Sequence, residues 1–308
     1  MNNDETIFQE EELDLKYLFL ILWSKRILIV SITTIFVISS ILFALLIPNT
    51  YTSSALLAPT NLDDSLSSKL GSYSSLASMT GISLYDENIS KSDEALERIR
   101  SFEFFSKYFL PNIKLQDLLA VQYWDAQNNK LIYRKKEFDQ TNNRWVRKAS
   151  FPKKKVPSEQ EAFKVYGQII QLSSNKQTSF ISISIEHKSP IIAKEWLDIV
   201  IYNINESMRL KDIKVAQSYI DFLNESQRST NVQSLKEVAS ELLESQMQTL
   251  MLASSNEDYV LQIIDPPIVA EEESGPDRLI IVIFGTIIGI AFSLLVAYIQ
   301  YIRVPKKD

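Results

Sequence analysis

Apolar positions fall into two long blocks near the ends of the chain, with mixed patterning between them. Ile27–Ile47 runs 21 residues without a charge, and Leu279–Ile302 runs 24. As helices these blocks span ~31 and ~36 Å, enough to cross a ~30 Å hydrocarbon core, the second with some tilt. The spacing predicts two membrane-spanning helices. Residues 48–278 then form one 231-residue loop on one side of the membrane, with both termini on the other.

Shorter periods organise the rest. Residues 13–24 predict a short helix feeding the first span, with Tyr17 and Trp23 suited to the interface. Tyr51–Ala58 reads as a strand leaving the membrane, and the Ser-rich stretch 61–90 as short helices or a mobile segment. Ser92 begins a helix to about Leu110, stopped by Pro111, and Leu115–Val121 a second short one. Asn pairs at 128–129 and 142–143 supply turn chemistry, so Leu131–Phe138 and Arg144–Ala149 read as a hairpin. Ser158 with Glu161 forms a capping box for a helix to about Gln171. Phe180–Glu186 alternates apolar and polar residues and is the clearest strand.

Ser189-Pro190 pairs a capping hydroxyl with proline at the first helical position. From Ile191 to Asp265 there is neither Pro nor Gly, and apolar residues recur at helical spacing. A single helix over 190–254 would reach ~97 Å, yet Tyr259–Ile264 reads as a strand close to the second span. The stretch must therefore go out and come back. The turn is placed at Asn224–Asn231, which lacks apolar side chains, with Thr230 or Asn231 capping the returning helix. Arms of ~45–50 Å follow from the helical rise; one continuous coiled coil is the alternative.

Charge sets orientation and narrows the partners. Lys16, Lys25 and Arg26 precede the first span, and Arg303, Lys306 and Lys307 follow the second. This bias keeps the termini in the cytoplasm and translocates the loop. The first block exceeds the apolar length of a cleaved signal peptide, and no small-x-small site precedes Pro48. The loop carries 26 Lys/Arg against 31 Asp/Glu, which argues against a nucleic-acid partner.

Catalytic chemistry is sparse. The chain has no cysteine, six glycines and one histidine, His187, at the end of a strand and next to Lys188, where a lone His is not read as a general base. It has no P-loop, no G-x-G-x-x-G and no metal-ligand cluster; Glu271–Glu273 reads as a solvated acidic turn. The expectation is a non-enzyme with no cofactor and no bound metal.

Two features suit interactions instead. Residues 126–157 hold ten Lys/Arg and two Asp/Glu, with Tyr133, Phe138 and Trp145 among them. Arg134, Lys135, Lys136, Arg144, Arg147 and Lys148 are the candidate contacts for anionic lipid headgroups or a phosphate-linked glycan. The alternative is a solvated hairpin face that balances the acidic remainder of a neighbouring subunit. In the second span, Gly285 and Gly289 stand four apart, a spacing that lets two helices approach closely.

Together these features resemble a family. Asp265–Arg278, with Pro266, Pro267 and Pro276, runs into the Gly285/Gly289 span. This resembles the proline-rich segment and glycine motif of Wzz-type polysaccharide co-polymerases, the O-antigen chain-length determinants. Glu12–Lys25 is similar to the family's cytoplasmic lead-in, and Glu186–Trp196 to its strand-to-helix junction. The sequence departs at Ala270, where the family often has proline.

The resemblance implies an α+β periplasmic domain between two transmembrane helices, with a membrane-proximal α/β base and an extended helical hairpin. Its divisions would be a cytoplasmic segment 1–26, a span 27–47, the base 48–189, the hairpin 190–257, a return strand and Pro-rich segment 258–278, a span 279–302 and a tail 303–308. It implies a bacterial inner-membrane homo-oligomer, contacting membrane lipids, that sets the modal length of undecaprenyl-diphosphate-linked polysaccharide together with the O-antigen polymerase. The sequence carries no ATP-binding domain and no Tyr-rich tail, unlike kinase-fused relatives. The competing readings are a capsule or exopolysaccharide co-polymerase working with a separate tyrosine kinase, and a two-pass periplasmic sensor.

Overall fold

The computed structural model describes residues 25–60, 90–229 and 232–303. The expected helix at 13–24, the Ser-rich stretch up to residue 89, the Thr230 and Asn231 caps, and Lys306 and Lys307 lie outside the described residues.

In chain order, α1 (Arg26–Leu46) is followed by β1 (Tyr51–Pro59), α2 (Lys91–Arg100) and α3 (Phe102–Phe104). A π turn (Phe105–Phe109) and a 3-10 turn (Leu110–Asn112) continue α3 and lead to α4 (Leu115–Leu119). Then come β2 (Val121–Asp125), β3 (Lys130–Tyr133), β4 (Phe138–Asp139), β5 (Arg144–Trp145), α5 (Glu159–Ile169), β6 (Ile170–Ser174) and β7 (Ile181–His187). The long helix α6 (Pro190–Ser229) turns back into α7 (Gln233–Ser255), β8 (Leu261–Asp265) and α8 (Arg278–Arg303). The chain forms two compact units, one holding α1 and α8, the other Asn49–Ser274.

In the second unit, β6-β7-β1-β8 form an antiparallel sheet. Burial alternates along β7, with Ile181, Ile183 and Ile185 inward, as period-two patterning requires. The helices cover that one face. Trp196, Leu197, Val200, Ile201, Ile204 and Met208 of α6 recur at three- and four-residue spacing and enter the core. Phe105 and Phe109 pack against Tyr166 of α5, and Phe109 meets Trp196 edge-on. This is an α+β domain, as the resemblance implied.

Beyond Met208 the buried residues of α6 are Ala216 and Leu223, and α7 packs along α6. Gln227 donates to Ser240 near the turn, whereas Asn205 meets Leu261 at the other end, so the two arms run antiparallel. At 1.5 Å per residue they measure ~60 and ~35 Å, unequal where similar arms were expected.

Several boundaries correct the sequence expectations. Helix α6 runs through Asn224–Ser229, so the turn is shorter than the eight residues expected. Polar residues there mark a tip with little to pack against, not a break. The helix expected from Ser92 is capped by Ser90, whose Oγ accepts from Asp93 N–H (3.1 Å). It stops at Ser101, whose extended backbone (ψ 150) lets its own Oγ accept from Phe104 N–H and cap α3. The single hairpin expected at 131–149 is two, β2–β3 and β4–β5. Strand β6 replaces the expected end of α5.

Candidate functional site

In the helical unit, α1 and α8 pack against each other along small residues. A Cβ on Gly285 would collide with the Ser40 side chain, and one on Gly289 would lie 2.7 Å from Phe36 Cβ. Ser293 and Ala297, at the next two four-residue steps, are fully buried, and Phe36 packs on Phe292 with centroids 5.6 Å apart. Thr33 Oγ1 donates to Ser293 Oγ at 3.5 Å. The glycine spacing thus serves a contact inside one chain, where removing Cβ lets two helix backbones approach. Mean hydropathy reaches 2.6 in α1 and 2.9 in α8, yet only 6% and 11% of those windows are buried. A core helix of a soluble domain would be covered; these helices are long and apolar enough to cross a membrane and expose their apolar flanks.

The Pro-rich segment lies in the second unit up to Ser274. Prolines 266 and 267 have no N–H, so the ladder of β8 on β1 ends at Asp265. The chain stays extended beside β1: Ser53 Oγ donates to Ile268 O (2.8 Å), Thr52 N–H to Ser274 Oγ (2.9 Å), and Ser274 N–H to Thr50 O (2.8 Å). Asn49 also donates to Glu273. Pro267 is buried and Pro266 exposed, whereas Pro276, half-buried, belongs to the helical unit.

The same end of the sheet carries both short hairpins. His187 pairs with Tyr51, and Tyr51 packs edge-on against Trp124 of β2. His187 Nδ1 accepts from Ser189 N–H at 3.0 Å, so Nε2 carries the proton and donates to Asp117 O at 3.0 Å. The ring stacks obliquely on Trp196, and Lys188 donates to Val121 O. His187 therefore ends a strand, as expected, and is a buried joint between the sheet, α4 and the start of α6.

Burial lowers the pKa of His187 below 6.5. The unfolded chain takes up the proton first, so stability is complete above about pH 6.5 and declines as pH falls below it. Melting the purified protein between pH 8 and pH 5 should show that decline, and His187→Gln should reduce its slope.

The two hairpins use one loop twice. Asp125-Ala-Gln-Asn-Asn-Lys130 and Asp139-Gln-Thr-Asn-Asn-Arg144 share a pattern in which the Asp accepts from two following backbone N–H groups and from the first Asn side chain. The second Asn of each takes positive φ, 48° and 49°, a region Asn tolerates. These bonds, chiefly from the Asn128 and Asn142 side chains, hold both carboxylates below the usual range.

The six candidate cations divide by environment. Arg147 is engaged: its guanidinium donates twice to Glu161 (2.6 and 2.9 Å) and to the carbonyls of Lys154 (2.6 Å) and Lys155 (2.9 Å). The Arg147 bond is the main cause lowering Glu161 to about 2. Arg134 is tied to Glu137 and the Leu119 carbonyl, and Arg144 sits 3.7 Å from Asp139. Lys135, Lys136 and Lys148 are exposed and have no ion pair among the described residues. They line an open groove of about 1090 Å³ together with Trp145, Lys153 and Lys164. The Arg147–Glu161 clasp has no sequence signal beyond the capping box, and Lys153 and Lys164 were missed.

The family model Wzz, chain length determinant protein, matches residues 11–101. None of the curated proteins matches. Among solved structures, a "full-length bacterial polysaccharide co-polymerase" superposes with a TM-score of 0.38 at 11% identity, over 96% of this chain and all of that one. A fragment of the polysaccharide co-polymerase WzzB from Salmonella Typhimurium gives 0.28 at 14% identity, over 74% of this chain and all of that one. Likenesses this loose say nothing further about the chain. Over residues 11–101, then, the chain matches the Wzz chain length determinant family, the family its sequence resembles.

Proposed function

We propose that this chain is a polysaccharide co-polymerase that sets the modal length of a surface glycan, first of all O-antigen. The carrying observation is the chain length determinant match over residues 11–101. It is supported by a domain that leaves and rejoins two paired apolar helices. In this reading α1 and α8 cross a bacterial inner membrane, both termini are cytoplasmic and Asn49–Ser274 is periplasmic. The partners are further copies of the chain, the O-antigen polymerase and its undecaprenyl-diphosphate-linked polymer.

The role is regulatory and acts through the geometry of an assembly. The helical hairpin exposes Tyr202 (70%) and Met251 (69%), with Met247 one turn before Met251. Exposed apolar surface of this kind suits association, and we assign it to contact between copies. Pro266 and Pro267 keep the exit from the sheet extended, and the Gly285/Gly289 contact fixes the helix pair to which the domain is tied.

A lipopolysaccharide gel of the host with the gene deleted and restored tests the function. Deletion should turn a clustered ladder into a graded one dominated by short chains, and restoration should bring the cluster back. If the ladder is unchanged while capsule or secreted polysaccharide shifts, the polymer is different. If no surface glycan changes, the reading is wrong.

A further inference from the structure

Phe151 has the most exposed large apolar side chain among the described residues, at 97%. It sits at the apex of a loop with no acidic residue between Asp139 and Glu159 but with Lys148, Lys153, Lys154 and Lys155 exposed around it. We infer that this loop, 148–156, docks on an anionic phospholipid surface, with Phe151 entering the headgroup region and the four lysines facing lipid phosphates. The inference rests on α1 and α8 spanning a membrane and is independent of any role in polysaccharide synthesis.

Three observations carry it. The loop is held in shape: Lys153 N–H donates to Ser150 O (2.9 Å), closing a turn around Phe151 and Pro152. Arg147 grips the carbonyls of Lys154 and Lys155 and anchors the loop to α5 through Glu161. The exposed phenylalanine is therefore presented by a fixed scaffold. Next, the charge is unspent, because Arg147 is committed to the clasp while none of the four lysines has an ion pair among the described residues. Third, a run of contacts links the strand by which the chain enters this unit to β5, just before the loop: Tyr51 meets Trp124, Lys188 holds β2, and Tyr133, Phe138 and Trp145 pack in succession. An apolar tip ringed by lysines complements a negatively charged lipid surface better than open solvent.

Because the chain has no cysteine, Phe151→Cys gives one labelling site on a fully exposed residue. The full chain, labelled there with an environment-sensitive fluorophore, is reconstituted in phosphatidylcholine vesicles with and without phosphatidylglycerol. The expected result with phosphatidylglycerol is blue-shifted emission quenched by a nitroxide lipid at headgroup depth. The same label at Lys176→Cys, in the exposed turn at the far end of β6, should show neither effect.

Changing Lys153, Lys154 and Lys155 to Gln should lower the docking equilibrium about a hundredfold, at roughly fivefold per lysine. Absence of quenching with phosphatidylglycerol overturns the inference. So does quenching that is equal in both vesicles and indifferent to the lysines. A blue shift that persists in detergent without lipid quenching also overturns it, and assigns the surface to a second copy.

Discussion

Leucine at both Gly285 and Gly289 is expected to separate α1 from α8. A Cβ alone already meets Ser40 and Phe36, so each leucine must push two helix backbones apart. Overpacking of this kind costs about 1–3 kcal/mol per site, so the pair together shifts the packing equilibrium on the order of a hundredfold or more. The change is readable directly. Phe36→Cys with Phe292→Cys, whose rings stand 5.6 Å apart, should cross-link within one chain on mild oxidation. In the double-leucine background that cross-link should disappear, and chain-length control should go with it. Retention of the cross-link would contradict the intrachain role assigned to the glycines.

Asn205→Leu is expected to be the most destabilising single change in the folded domain. Asn205 is buried, accepts from Val260 N–H and Leu261 N–H (both 2.9 Å), and donates to Leu261 O (2.9 Å). It ties the base of α6 to the start of β8, so the outgoing arm holds the strand by which the chain returns. Leucine would leave three buried backbone groups unpartnered. At about 1–3 kcal/mol each with partial relaxation, a loss of roughly 3–5 kcal/mol is expected. Thermal melting should fall by about 10 °C for a domain of this size, with early proteolysis at 256–260. A shift of a degree or two would mean that water replaces the side chain.

How far the sequence reaches can be judged from these residues. Strict alternation exposed β7, and Ser158 with Glu161 forms the capping box it promised. The apolar blocks correspond to α1 and α8 within a residue or two. Boundaries failed where solvent exposure and local capping, rather than apolar periodicity, set the ends of helices. Polar residues 224–229 remain helical because an exposed tip needs no apolar face, and Ser101 breaks a helix that periodicity carries through.

Within the candidate site, charge alone could not sort the cations. Arg147 looks like its neighbours in sequence and becomes a structural clasp only through carbonyls seven and eight residues away. Lys153–Lys155, part of the same basic stretch, emerge as its free face. Asn205 carried no signal, since a polar residue in a long helix is read as solvated until the returning strand is placed beside it. The Asn pairs at 128–129 and 142–143 were legible as turns, but not that each closes a hairpin of its own.

The central claim is that length control comes from an assembly of these chains, and the exposed hairpin residues test it most directly. Tyr202→Lys with Met251→Lys changes two surface side chains and should leave the fold intact, as the melting temperature would confirm. The measurement is the mass of the detergent-extracted assembly alongside the lipopolysaccharide ladder from the same cells. The account predicts that the assembly falls to smaller species and the modal cluster dissolves into a graded ladder. A dissociated protein with an unchanged cluster would contradict it.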